Sequence, residues 1–278
     1  MIGLHVSIAG SLDLAFDRAL EAGCSTFQMF TRNPRGWKFN PLTEEQVSAF
    51  TDKRRKTSFG KIVDHMPYLP NLASPDRATI KASRHALKEE VKRCDALGIE
   101  YLVTHLGSHL GKGTMSGIRN VADACREALA GSSGETTILL ENMAGQKNCV
   151  GARFEEIRQI LDLTRRSERM GVCLDSCHAF AAGFDLSSED AVVHTMGMFD
   201  ALVGYENLKV VHLKDSKGPL GSNLDRHENI GKGKIGRSGL KAFLRYKGLL
   251  ERPIILETPY RDLKGERESM AAVRKLLE

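Results

Sequence analysis

Short apolar runs rich in β-branched residues alternate along the chain with amphipathic segments. Eight runs are typical of buried strands, at residues 2–8, 26–30, 61–66, 101–107, 136–142, 170–176, 208–214 and 252–258. Apolar residues at i, i+3 and i+4, the spacing of one helix face, recur between them over residues 77–97, 116–130, 153–169 and 188–203. The pattern predicts eight strand–helix units. Gly98 and Gly171 each follow a helical segment, where a glycine commonly ends a helix.

Continuous apolar strands that alternate with helices favour a parallel sheet whose outer face is covered by the helices. Eight such units in 278 residues satisfy the requirement of a closed (β/α)8 TIM barrel. A doubly wound open sheet is the alternative, but no GxGxxG sequence follows the first strand. No segment has the composition of a linker. We therefore predict an α/β fold with a single domain over residues 1–278.

The composition is that of an ordinary globular protein. Six cysteines without a CxxC pair indicate reduced thiols, which favours a cytoplasmic protein without a disulfide framework. The first ten residues lack the basic segment of a signal peptide, and no apolar run is long enough to span a membrane. Because the net charge is only +5, binding to a polyanion requires a local cluster of basic residues.

Metal-competent residues stand at or beyond the carboxyl ends of six consecutive predicted strands, from the third to the eighth. The carboxyl ends of barrel strands converge on one face, so we expect these side chains to share one bowl. Burying so many carboxylates without cations would cost too much free energy. We interpret the following residues as metal ligands: His65, His105, Glu141, Asp175, His178, His212, Asp225, His227 and Glu257.

The composition of this ligand set indicates which metal is bound. Five imidazoles and four carboxylates, with no cysteine, suit Zn²⁺ or Mn²⁺ better than Ca²⁺ or an iron–sulfur cluster. At three protein ligands for each catalytic zinc, the set suffices for two or three ions. Cys173 and Cys177 flank Asp175, and we interpret both as packing residues.

The chain resembles the endonuclease IV family, which consists of metal-dependent apurinic/apyrimidinic endonucleases on a TIM barrel. The resemblance extends from the first strand to the eighth, although the first histidine motif is looser, with Asp64 before His65 and Met66 after it. The segments that carry it are HMPYL (65–69), HLGSH (105–109), LLENMAG (139–145), CLDSCHAFAAGFD (173–185), HLKDSK (212–217), DRHENIGKG (225–233) and ILETP (255–259).

The resemblance implies three zinc ions per chain, with Mn²⁺ able to replace zinc at some positions. It divides the ligands into His65–His105–Glu141, Glu141–Asp175–His212–Glu257 with Glu141 as a bridge, and His178–Asp225–His227. Glu141 and Glu257 are the expected catalytic residues. The implied reaction is hydrolysis of the phosphodiester 5′ to an abasic site, which leaves a 3′-hydroxyl and a 5′-deoxyribose phosphate. Removal of 3′-blocking groups is also implied.

The family also suggests how damaged DNA is bound. An arginine after the second strand and a Tyr-Leu pair after the first histidine enter the duplex, and Arg35, Tyr68 and Leu69 match them. Arg226 and Lys232 lie in a glycine-rich loop that suits a phosphate backbone. We expect double-stranded DNA containing abasic sites as the partner and a monomer as the acting form.

Other basic residues follow the strands and are expected to form a basic crater, whereas acidic residues are expected on the outer helices. The basic residues are Arg32, Lys38, Lys112, Lys214, Lys217, Arg261 and Lys264. The acidic residues are Glu89, Glu90, Glu155 and Glu156.

Two other functions compete with this interpretation. A sugar isomerase or epimerase of the same barrel superfamily would use one metal site, which leaves His178 and residues 225–233 without a role. A non-catalytic DNA-binding module would need no open metal centre, since structural zinc sites are closed and usually rich in cysteine. The number of metal ions per chain, three, one or none, distinguishes the three functions.

Overall fold

The protein is described by a computed structural model that covers residues 1–165, 167–259 and 262–278. Its parallel strands are β1 (Ile2–Leu4), β2 (Phe27–Met29), β3 (Ile62–His65), β4 (Tyr101–Thr104), β5 (Thr137–Glu141), β6 (Met170–Asp175), β7 (Leu208–Leu213) and β10 (Ile254–Leu256). They form an eight-stranded sheet in the order β1-β10-β7-β6-β5-β4-β3-β2. Each strand falls within one of the eight predicted apolar runs.

The sheet closes on itself where its first and last strands meet. His5 and Gln28 form a parallel bridge, and the Val6 amide donates a 2.8 Å hydrogen bond to the Gln28 carbonyl. Gly3 allows this close approach, because a Cβ atom there would lie 1.7 Å from the Thr26 carbonyl oxygen. The predicted TIM barrel is confirmed.

Helices connect the strands along the outside of the barrel. They are α1 (Leu14–Glu21), α2 (Glu44–Arg55), α3 (Arg77–Leu97), α4 (Thr114–Ala130), α5 (Phe154–Leu163), α6 (Ser176–Ala181), α7 (Glu189–Leu202), α8 (Gly236–Arg245) and α9 (Leu263–Leu277), with 3₁₀ turns at Tyr205–Asn207 and Leu249–Glu251. A short hairpin, β8 (Asp215–Ser216) with β9 (His227–Glu228), holds the long loop after β7. None of the described helices is long and apolar enough to cross a membrane.

The two predicted helix-ending glycines differ in outcome. Gly98 ends α3 with a φ of 67°, as predicted. The prediction for Gly171 is wrong, because this residue lies inside β6. A Cβ atom at Gly171 would approach side-chain atoms of Lys209 and Leu139 at 2.7 and 2.9 Å, so glycine lets the neighbouring strands pack there.

An apolar layer fills the inside of the barrel below its carboxyl end. Side chains alternate between the two faces of a strand, so the residue two positions after each member of this layer also points inward. Those positions hold His65, His105, Glu141, Asp175, His212 and Glu257. The candidate ligands therefore lie directly above a layer made of Val63, Val103, Leu139, Cys173, Val210 and Ile255.

Candidate metal centre

Glu141 occupies the middle of the candidate site and is fully buried. Its Oε2 lies 3.2 Å from Nε2 of His65 and 3.2 Å from Nε2 of His105. Its Oε1 lies 3.0 Å from Nδ1 of His212 and 3.3 Å from Nδ1 of His178. Ligand atoms at zinc bond lengths in a tetrahedron are about 3.3 Å apart. The spacing of Oε2 from His65 and His105, and of Oε1 from His212, therefore fits one carboxylate shared between two cations.

The remaining candidate ligands form two further groups near Glu141. Asp175, His212 and Glu257 offer ligand atoms that lie within 4.8 Å of one another. On the other side, Oδ1 of Asp225 lies 2.9 Å from Nε2 of His227 and 3.3 Å from Nε2 of His178. All the side chains predicted as ligands thus meet at one end of the barrel.

The Cys177 sulfur also lies within 4.8 Å of ligand atoms of Asp225 and His227, in the position that the family resemblance assigns to His178. Burial raises the pKa of the Cys177 thiol to about 11. The thiolate, not the thiol, is the metal ligand, so this environment disfavours the sulfur. The imidazole of His178 is the better third ligand, because its Nε2 faces the Asp225 carboxylate.

Main-chain carbonyl groups orient three of the imidazoles. Nδ1 of His65 lies 2.7 Å from the carbonyl oxygen of Met66, and Nδ1 of His178 lies 2.9 Å from that of Asn142. Nδ1 of His227 lies 3.1 Å from the carbonyl oxygen of Glu257. A carbonyl oxygen only accepts, so each Nδ1 carries a proton and donates it. When such a ring is neutral, its Nε2 has the lone pair that a metal requires.

The side-chain amide of Gln28 orients the imidazole of His212. Its Oε1 lies 2.8 Å from Nε2 of His212, and its Nε2 donates to Oε1 of Glu257 at 2.5 Å and to Nδ1 of His5 at 2.9 Å. The carboxylate can only accept, which fixes the amide orientation and makes Nε2 of His212 the donor. No role was predicted for Gln28 from the sequence, although a glutamine between Phe27 and Met29 in an apolar strand is a signal of an inward polar role.

The central carboxylates are ionised. Burial by itself raises a carboxyl pKa, but His212 and His105 hold the pKa of Glu141 well below its usual range. Lys214 and His212 do the same for the pKa of Glu257, again against the effect of burial. Such groups are competent metal ligands at neutral pH.

The residues present fit a divalent cation. Oδ2 of Asp175 and Oδ1 of Asp225 are buried without an aligned hydrogen bond, although positively charged or imidazole nitrogens lie beside them. Buried carboxylate oxygens beside protonated or imidazole nitrogens are positions that a metal cation can take over when those nitrogens lose their protons. Imidazole and carboxylate donors together favour zinc or manganese.

The candidate centre opens into a cleft of about 460 Å³. Tyr68 and Leu69 stand at its edge with 58% and 41% of their surface exposed. The cleft is lined by Tyr68, His105, His178, Lys214, Lys217, Asp225, Arg226, His227, Glu257 and Pro259. A larger hollow of about 730 Å³ lies between α3 and α4, but none of the clustered candidate ligands lines it.

Most of the predicted basic side chains are exposed, including Arg35, Arg226 and Lys232. Three of the charged residues named from the sequence are buried rather than solvated. Arg32 and Glu90 are both buried and form a 2.8 Å ion pair, because Glu90 lies on the inward face of α3. Lys214 is buried within the candidate centre. Arg261 lies outside the described residues.

Comparisons with known proteins agree with this geometry. A family model described as a xylose isomerase-like TIM barrel matches residues 16–278. "Probable endonuclease 4" of Methanoculleus marisnigri is 48% identical over 278 residues, covering 99% of this chain and 98% of that protein. The crystal structure of endonuclease IV from Thermus thermophilus has a TM-score of 0.89 at 35% identity, covering 99% of this chain and 98% of that one.

A barrel named for another activity is also similar. The crystal structure of a D-tagatose 3-epimerase-like protein has a TM-score of 0.75 at 18% identity, covering 99% of this chain and 97% of that one. At this identity, the likeness indicates the shared barrel alone.

Proposed function

The chain belongs to the endonuclease IV family, and we propose that it is a DNA-repair endonuclease that cleaves duplex DNA on the 5′ side of an abasic site. The products would be a 3′-hydroxyl and a 5′-deoxyribose phosphate, and the same chemistry would remove 3′-blocking groups. The proposal is carried by the position of Glu141. Each of its two carboxylate oxygens faces two imidazoles below the open cleft.

We infer three zinc ions, with manganese able to replace zinc at some positions. His65, His105 and Glu141 would hold the first. Glu141 would share the second with Asp175, His212 and Glu257, and His178, Asp225 and His227 would hold the third. Zinc in such a site lowers the pKa of water and neutralises charge on a phosphate.

The protein side chains would do the remaining work. Glu257 is held on one oxygen by Gln28 and on the other by Lys214, so its carboxylate has a fixed direction. It would orient the attacking water or accept its proton. His178, Asp225 and His227 would serve the leaving 3′-oxygen through the ion they hold. Glu141, as the shared ligand, would fix the spacing of the other two ions.

The exposed residues around the cleft would bind the DNA. Arg35, Tyr68 and Leu69 would fill the gap left by a flipped abasic nucleotide, which costs less to extrude than an intact one. Arg226 and Lys232 would contact the phosphate backbone.

Since all candidate ligands come from one chain, the site supports action as a monomer. The six cysteines are free, as expected in the reducing cytoplasm.

The alternative function is that of a single-metal sugar isomerase or epimerase. The D-tagatose 3-epimerase-like protein is similar in fold. The spacing of Asp225, His227 and His178 favours the endonuclease, since a single-metal enzyme would give this group no role.

Incubation with a duplex that carries one abasic analogue tests the proposal. We expect a single nick on the 5′ side, no nick in the matched intact duplex, and loss of nicking after treatment with a strong chelator. Metal analysis should give close to three ions per chain. Full nicking by protein from which metal is confirmed absent, or a count of one ion with epimerase activity, would refute the proposal.

A further inference from the structure

Lys214 places a positively charged side chain inside the candidate metal centre. Only 1% of its surface is exposed. Its Nζ lies 2.5 Å from Oδ2 of Asp175 and 2.6 Å from Oε2 of Glu257, and 3.3 Å from Nε2 of His227. Lysine is almost never fully buried unless it is paired. The ammonium therefore belongs to the chemistry of the centre.

The main chain fixes Lys214 in this place. The Ser176 hydroxyl accepts a 2.9 Å hydrogen bond from the Lys214 amide and donates a 2.6 Å bond to the Lys214 carbonyl. The carboxylates of Asp175 and Glu257 both contact the ammonium. The side chain is a fixed positive charge between two carboxylates.

The two oxygens that contact the ammonium are also the ones that face His212. Oδ2 of Asp175 lies 3.8 Å from Nδ1 of His212, and Oε2 of Glu257 lies 3.9 Å from the same nitrogen. Asp175, His212 and Glu257 form one of the candidate metal-binding groups. A metal ion in that group would therefore use the same oxygen atoms as the ammonium.

We propose that Lys214 is a positioning residue that competes with the metal ion for Asp175 and Glu257. In the metal-free protein it holds the two carboxylates together, and on loading it gives up at least one of them. The group of Asp175, His212 and Glu257 is consequently the one with the weakest metal affinity. This inference rests on the proposed metal site.

Zinc titration and thermal unfolding of Lys214→Met test the inference. Methionine keeps most of the side-chain length and removes the charge, and Lys275→Met, at an exposed lysine on α9 away from the cleft, is the control. Against a competing chromogenic chelator, Lys214→Met should bind its weakest zinc at least tenfold more tightly than the parent, with an unchanged metal count. Its unfolding midpoint should be lower than the parent's without metal, and the difference should disappear at saturating zinc.

Other outcomes separate the role of Lys214 from the metal site itself. A lysine that only fills space predicts a lower midpoint with and without zinc and no gain in affinity, which would overturn the inference alone. A parent that binds no zinc would overturn the proposed metal site as well. Lys214→Asn is the second variant. If either Lys214 variant folds only when zinc is present, the inference is supported. If neither variant folds even with zinc present, the inference is contradicted.

Discussion

A single side chain, Gln28, contacts two candidate ligands from the opposite side of the barrel closure. Replacing it in Gln28→Leu leaves Nε2 of His212 without its acceptor and Oε1 of Glu257 without its donor. Loss of such a partner typically lowers metal affinity about 10- to 100-fold. We expect a decrease of that size in zinc titrations, with little change in Gln159→Leu, an exposed glutamine on α5. Equal affinities for both variants would exclude this role.

The residues that sequence could and could not identify differ in a physical way. Six of the nine candidate ligands follow from the strand period, since each of the six stands two residues beyond an apolar position of the barrel interior. Gln28 and Lys214 act through partners far away in the chain, with Gln28 and Glu257 separated by 229 residues. Their roles depend on barrel closure and on the path of the loop after β7. Neither the closure geometry nor the loop path is encoded in a local pattern.

At the level of elements, the loop after β7 is held by one carboxylate. Asp215 is fully buried and accepts hydrogen bonds from the backbone amides of Ser216, Gly233, Ile235 and Gly236. It caps the start of α8, where no nearby side chain does so. Sequence periodicity predicted the helices well, but this cap comes from a segment some twenty residues earlier, so no local signal indicated it.

Asp215→Asn should loosen that loop. Asparagine can accept at only one of the two oxygen positions, and a hydrogen bond to a charged group contributes about 1.5–3 kcal/mol. We expect a loss of that order in the free energy of unfolding and weaker binding of the ion proposed at Asp225 and His227. Asp76→Asn is the control, because asparagine caps a helix about as well as aspartate does. A loss no larger than in the control would argue against this structural role.

Two loops carry the residues proposed to enter the duplex. Arg35→Ala, Tyr68→Ala and Leu69→Ala together should weaken binding to abasic DNA while hardly changing binding to intact duplex, because the gap in the helix is no longer filled. Zinc content should stay the same. Fluorescence anisotropy with both duplexes measures the preference, and Leu20→Ala, an exposed leucine on α1, is the control. An undiminished preference in the triple variant would make the exposed Trp37 the next candidate.

For the whole molecule, the candidate ligands tie together strands from β3 to β10. An ion that binds only the folded state stabilises it by about 4 kcal/mol at 1,000 times its dissociation constant. We expect chelation to lower the unfolding midpoint by roughly 10 °C. Calorimetry with the chelator and with the same chelator presaturated with zinc distinguishes metal loss from other effects. The same midpoint in both would show that metal does not support the fold.

The main-chain acceptors of His65, His178 and His227 have a consequence for how the protein tolerates mutation. A substitution at Met66, Asn142 or Glu257 changes a side chain but not the carbonyl oxygen that the ring faces. In a library of all single substitutions, the backbone carbonyl groups would keep the proton on Nδ1 of these three rings whatever side chain is introduced. The proton position on the His212 ring depends instead on the side-chain amide of Gln28. Among the residues that orient these rings, position 28 is therefore the one where a substitution would change the tautomer.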